Sequence, residues 1–193
     1  TEHKKLASVI GKVPGMAMRG ISKEFPWPGS RCGWVEFYNT DKDENFARYA
    51  KSVNDAKMMQ VCATTLPQKA LPVIMSDPRY YPYLGERCAR YWEKSCYAYD
   101  VFSKLPQVHL NRTNGAFYLT VVFRDGVLKE GQRLTPMNDR AAELIAPRLA
   151  SGKLDRRFVY HLLASRGVCV VPLSTGFNSD LYGFRMTLLE QDM

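Results

Sequence analysis

Lysine and arginine flank a rigid turn in the string Ser22-Lys23-Glu24-Phe25-Pro26-Trp27-Pro28-Gly29-Ser30-Arg31-Cys32-Gly33-Trp34. A lysine that ends an apolar segment (Met16, Ala17, Met18, then Gly20-Ile21) is open to desolvation. Desolvation favours the neutral, nucleophilic amine, which is suited to forming a Schiff base with a carbonyl. Arg31 supplies a permanently charged planar fork suited to phosphate. Together they read as a cofactor site, although any basic chain has lysines and arginines near prolines, and a bare spacing of eight carries little weight.

The elements around the string must hold the two groups in fixed relation. Residues 13–22 read as a short buried strand leading into Lys23, with Gly20 allowing close backbone approach. Prolines on both sides of Trp27 fix φ and narrow the loop's freedom. Arg31 to Tyr38 alternates as a second strand. The polar run Asn39 to Glu44 offers helix N-caps, and Phe46 to Cys62 predicts a helix with Phe46, Tyr49, Ala50, Val53 and Ala56 on the stripe that packs on the sheet. Pro67 and Pro72 predict breaks, with a short helix between or just after them. An aromatic-rich helical pattern follows from about Pro78 to Leu105. Beyond Pro106, Gly115 to Phe123 predicts a strand, Asp139 to Ala150 and Arg156 to Ser165 helices, and Gly167 to Val171 and Tyr182 to Leu189 strands.

Composition bounds the rest. A chain of 193 residues that is 46% hydrophobic can bury a real core. Its net charge of +8, from 27 basic and 19 acidic residues, is scattered and mixed with Asp and Glu, which argues against nucleic acid and anionic membranes as partners. The five cysteines and the histidines His3, His109 and His161 show neither Cys-x-x-Cys pairs nor metal-ligand spacing. Free thiols in a reducing, cytoplasmic setting are expected. The Asn111-Arg112-Thr113 sequon is read as chance, and no apolar run is long enough to span a bilayer.

The whole string, S-K-x5-G-x-R-x-G-W in pattern, resembles the lysine motif of the class I/II aminotransferases, fold-type I enzymes that use pyridoxal 5'-phosphate (PLP). Three further stretches look like family segments: Cys62 to Gln68 like a loop after the next helix, Gly115-Ala116-Phe117-Tyr118 like the first strand of the small domain, and Gly183-Phe184-Arg185-Met186-Thr187 like the strand whose arginine grips the substrate's α-carboxylate. The resemblance implies that Lys23 holds the cofactor and serves as acid and base, that Arg31, helped by Ser22, binds its phosphate, and that Arg185 binds the carboxylate. Taken alone, Arg185 reads equally well as a strand arginine facing solvent or paired with Asp180.

The implied fold is α/β, the C-terminal part of the PLP-dependent transferase fold, with 1–78 belonging to the large domain and 79–193 to a linking helix and a small α/β domain. The implied reaction moves an amino group between an amino acid and a 2-oxo acid, in a homodimer whose Thr64, Thr65 and Gln68 approach the partner's site. The Gly20-Ile21-Ser22-Lys23 string is most similar to alanine aminotransferase-like members. Other chemistries on the same scaffold (β-lyase, decarboxylase, cyclopropane-carboxylate synthase) and a non-catalytic regulatory or interaction domain stand as alternatives. The family's phosphate-cradling turn, ring-stacking aromatic and ring-nitrogen aspartate have no counterpart here, nor does its final helix. The expectation is therefore a fragment that binds PLP poorly and does not transaminate by itself.

Overall fold

A computed structural model describes residues 5–150 and 152–189. The chain divides into two units, Thr1–Tyr83 and Leu84–Met193.

In the first unit, alternating side chains build an antiparallel hairpin of β1 (Gly15–Gly20) and β2 (Gly33–Tyr38). Its register pairs Met16 with Phe37, Met18 with Val35 and Arg19 with Trp34, and closes at Gly20 opposite Gly33. A Cβ on Gly33 would lie 2.7 Å from the Arg19 carbonyl oxygen, so glycine permits the strands to meet there. The predicted strand through Ser22 stops at Gly20, and Ile21–Glu24 forms a single helical turn, α1. Ile21 is fully buried and anchors that turn.

Helix α2 (Glu44–Met58) starts where the Asp43 side chain accepts the Phe46 N–H at 2.7 Å. It packs on the hairpin through Phe46 against Phe37, but Tyr49 is exposed and the helix ends four residues before Cys62. Helix α3 (Thr65–Ser76) overturns the reading of Pro67 and Pro72 as breaks. Pro67 is the third helical residue, where an N–H has no intrahelical acceptor to lose, and its burial with Leu71 holds the helix in place. Pro72 is an interior proline, carried by that packing against its own propensity.

Helix α4 (Tyr80–Phe102) runs 23 residues, and the unit boundary falls within it. In the second unit β3 (Val108–Leu110), β4 (Tyr118–Phe123), β5 (Val171–Pro172) and β6 (Gly183–Thr187) form one antiparallel sheet in the order β3-β4-β6-β5. Leu119 and Val121 point into a core completed by Ala98, Val159, Phe117 and Phe184. Helices α5 (Asp139–Leu149) and α6 (Leu154–Arg166) pack together, and a short turn, α7 (Leu173–Gly176), links β5 toward β6.

Two expected strands shrink here. The run from Gly115 starts only at Tyr118, since Ala116 takes a left-handed φ of 60°. Gly167 is the left-handed cap of α6 rather than the start of a buried strand; Val168 and Cys169 are exposed, and only Val171 and Pro172 pair with β6.

His161, on α6, is 6% exposed, and neither ring nitrogen has a well-formed hydrogen bond to a described residue. The segment between β4 and α5 binds this helix through Arg157 Nη2 donating to the Glu130 carbonyl and Met137 N–H donating to the Ala164 carbonyl, both at 2.8 Å. Burial first, then the positive charges of Arg133 and Arg157, push the imidazole below its ordinary value of 6.5; the Leu134 backbone opposes this weakly. The unfolded chain therefore takes up a proton that the folded one refuses, so stability is complete above about pH 6.5 and falls as pH drops toward the folded value. Urea unfolding midpoints measured between pH 7 and 5 should decline, and His161→Phe should flatten the decline. An equal slope in that variant would assign the effect elsewhere.

Candidate functional site

Lys23 sits on α1, whose Ile21 and Glu24, with Phe25 after it, are held in place. The buried Ile21 donates its N–H to the Cys32 carbonyl at 3.3 Å. Glu24 accepts from Arg19 Nη2 at 3.4 Å and from the Tyr80 hydroxyl. Phe25, also buried, stacks on Tyr80 with ring centroids 5.3 Å apart. Burial, reinforced by the Glu24 carboxylate, pushes the Tyr80 phenol well above its ordinary range and keeps it a proton donor. One point departs from the sequence reading: Lys23 is exposed, not desolvated. In a strand Ile21 and Lys23 would share a face, whereas in a helical turn they point about 200° apart, so burying Ile21 turns Lys23 outward.

After Phe25 the chain makes a 3-10 turn, Pro28–Ser30, which packs on α1. The Ser30 hydroxyl, buried, donates to the Trp27 carbonyl at 2.7 Å. Arg31 follows with φ 49° and ψ 45°, a left-handed backbone that favours glycine. Its guanidinium is exposed, donates to the Pro28 carbonyl at 3.2 Å, and makes no ion pair with any described residue. The structure thus brings the turn bearing Lys23 and the half-buried Ser22 against the turn that leads into Arg31.

The strained backbone of Arg31 can be tested. Arg31→Gly should be more stable than Arg31→Ala by about 1 kcal/mol, because only the alanine retains a Cβ in the left-handed region. Chemical denaturation of the two variants measures the difference, and equal midpoints would contradict it.

On the neighbouring face of the hairpin, Trp34 Nε1 donates to Glu36 at 2.8 Å and the Tyr38 hydroxyl donates to its other oxygen. The Tyr38 bond, then the Trp34 bond, hold the Glu36 carboxyl below its usual range. That carboxylate is committed to the strand.

Arg185 belongs to the second unit, in β6, where it faces Thr120 of β4 and Val171 of β5. Its guanidinium carbon lies 4.3 Å from the Tyr118 ring centroid and 4.1 Å from that of Phe177. No ion pair with Asp180 or any other described carboxylate engages it. Contact with two aromatic rings restricts the planar fork, whose hydrogen bonds are made at its edge. Sequence reasoning missed Asp155, a fully buried carboxylate beneath this strand, because an aspartate opening a helix reads as an ordinary first-turn residue.

Among the described residues no group of histidine, cysteine, aspartate or glutamate could hold a metal ion, and no helix is long and apolar enough to cross a membrane; His3 lies outside those residues. All five cysteines are free.

No family model matches the chain. It is 49% identical over 187 residues to an uncharacterized aminotransferase of Methanocaldococcus jannaschii, a match covering 97% of this chain and 43% of that protein. A tyrosine aminotransferase of Dictyostelium discoideum is 32% identical over 80 residues, 40% of this chain and 19% of that one. Among solved structures, an alanine aminotransferase from Pyrococcus furiosus superposes with a TM-score of 0.72 at 23% identity, over 98% of this chain and 41% of that one. An aminotransferase from Escherichia coli gives 0.68 at 20% identity, over 97% and 41%. The chain thus spans less than half the length of the curated relatives it matches. In sequence the chain is similar to part of an aminotransferase, and its fold matches a C-terminal portion of the PLP-dependent transferase fold.

Proposed function

We propose that the complete protein carrying this chain transfers an amino group between an amino acid and a 2-oxo acid with PLP as cofactor. The observation that carries the reading is the pair of packed turns in the first unit, one bearing an exposed primary amine and the other leading into a guanidinium with no carboxylate partner. That donor set fits a phosphorylated aldehyde: an amine for the carbonyl, and Arg31 with the Ser22 hydroxyl for the phosphate. When bound, PLP supplies an electron sink for the carbanion formed at the substrate's Cα.

The chain's own residues do the rest. Lys23 Nζ would hold the cofactor and, once freed from it, would take the proton from the substrate's Cα as base and give it up as acid at the other end of the proton shift that moves the amino group. Arg185 receives the α-carboxylate through paired N–H groups at the edge of its fork, which orients the substrate as well as binding it. The proposed assembly is a cytoplasmic homodimer, with Thr64, Thr65 and Gln68 directed to the partner's site.

Incubating the complete protein with PLP, an amino acid and a 2-oxo acid should yield the exchanged keto acid and amino acid in equal amounts. Release of ammonia or CO2 instead would overturn amino transfer in favour of a lyase or a decarboxylase.

A further inference from the structure

Asp155, the second residue of α6, is completely buried and has no cation against it among the described residues. Its carboxylate is satisfied by neutral donors alone. Oδ1 accepts the Arg156 N–H at 2.8 Å and the Ser174 hydroxyl; Oδ2 accepts the Ser174 N–H at 2.9 Å and the Gly183 N–H at 3.4 Å. Burying an ionised carboxylate is costly unless hydrogen bonds replace its hydration, and here three polypeptide elements contribute them.

The two distant elements are the ones that shape the surroundings of Arg185. Ser174 lies in α7, and the next residue after that turn is Phe177, whose N–H donates to the Leu173 carbonyl at 3.0 Å. Gly183 opens β6, two residues before Arg185. The guanidinium lies against the rings of Phe177, which the α7 turn delivers, and Tyr118, which β4 delivers. We propose that Asp155 is a positioning residue for Arg185: one buried carboxylate clamps both the strand that carries the guanidinium and the turn that carries a ring lying against it. This rests on the reading of Arg185 as the carboxylate-binding group.

A helix N-terminal aspartate that only caps would have its partners in its own first turn. Three of the four bonds at Asp155 instead go to Ser174 and Gly183, 19 and 28 positions away. The clamp also ties together the ends of the connection that follows α7, so loosening it frees Phe177 and Arg185 to move apart. A 1 Å misplacement of a binding group is enough to cost about a hundredfold.

The test uses Asp155→Asn, which keeps the shape but places an NH2 against one set of donors, and Ser174→Ala, which removes the hydroxyl donor alone. In the full chain, the NMR resonance of Arg185 Hε should be shifted upfield by the neighbouring rings of Tyr118 and Phe177. Asp155→Asn should move it toward the ordinary position, and Ser174→Ala should move it part of the way. In the complete protein, Asp155→Asn should also weaken binding of pyruvate, used as the carboxylate probe, by about ten- to a hundredfold. An unshifted Hε resonance in a folded Asp155→Asn variant overturns the proposal; should that variant fail to fold, an unshifted resonance in Ser174→Ala overturns it. Arg185→Lys separates the two claims: unchanged pyruvate affinity there defeats the carboxylate reading of Arg185, whereas the Hε shift judges the clamp independently.

Discussion

Lys23→Ala is expected to abolish amino transfer while leaving the fold intact. Positioned acid–base catalysis contributes about 10²–10⁴-fold, and the variant also loses the amine that holds the cofactor, so the rate should fall by at least that range. Stability should hardly change. Lys23 is exposed, alanine suits the helical turn of α1, and the anchors of that turn are Ile21, Glu24 and Phe25, none of which is touched. Lys23→Arg should not restore activity, because a guanidinium stays protonated and can neither condense with a carbonyl nor accept a proton. Steady-state assay of keto acid formation beside thermal unfolding checks both halves. Activity within tenfold of the parent protein in Lys23→Ala would point to a binding or regulatory role for the domain.

The second large effect belongs to Gly183. A Cβ built there would meet the Val121 carbonyl oxygen at 2.3 Å, the Leu173 Cδ1 at 2.7 Å and the Val122 Cα at 3.0 Å. Two of those three neighbours are backbone of the facing strand, which cannot swing aside as a flexible side chain can. Gly183→Ala should therefore cost the upper end of the roughly 1–3 kcal/mol typical of overpacking, or more. The displacement begins at the residue whose N–H reaches Asp155 and whose strand carries Arg185, so carboxylate binding should weaken with it. Gly85→Ala is the control. That glycine lies in α4 with open space around it, and the substitution should gain up to about 1 kcal/mol. Urea unfolding of the two variants gives the comparison, and a Gly183→Ala protein as stable as the parent would show that β6 and β4 do not approach so closely.

What could be read in the residues was whatever local chemistry decides. The alternation of Val35 and Phe37 with Trp34 and Glu36 marks β2, and the polar run from Asn39 to Glu44 contains Asp43, which caps α2. Position-dependent features were harder. Pro67 looks like a break until its place in the first turn of α3 is known, because the same residue is tolerated there and disruptive a turn later. Arg31 gives no hint of its left-handed backbone, which runs against the residue's own preference. Lys23 was expected to be buried because apolar neighbours precede it, but a switch from strand to helical turn at Gly20 reverses its side. Asp155 illustrates the furthest limit: its partners are 19 and 28 residues away, and only tertiary structure brings their donors to it.

Reductive trapping puts the central claim, that the turn of Lys23 and Arg31 forms the cofactor site, to its most direct trial. The complete protein would be loaded with one equivalent of PLP, reduced with borohydride and mapped by peptide mass spectrometry. The pyridoxyl group should appear on the peptide carrying Lys23, and Arg31→Ala should lower its occupancy at limiting PLP. Label spread over other exposed lysines such as Lys12 and Lys69, with the Lys23 peptide unmodified, would contradict the account.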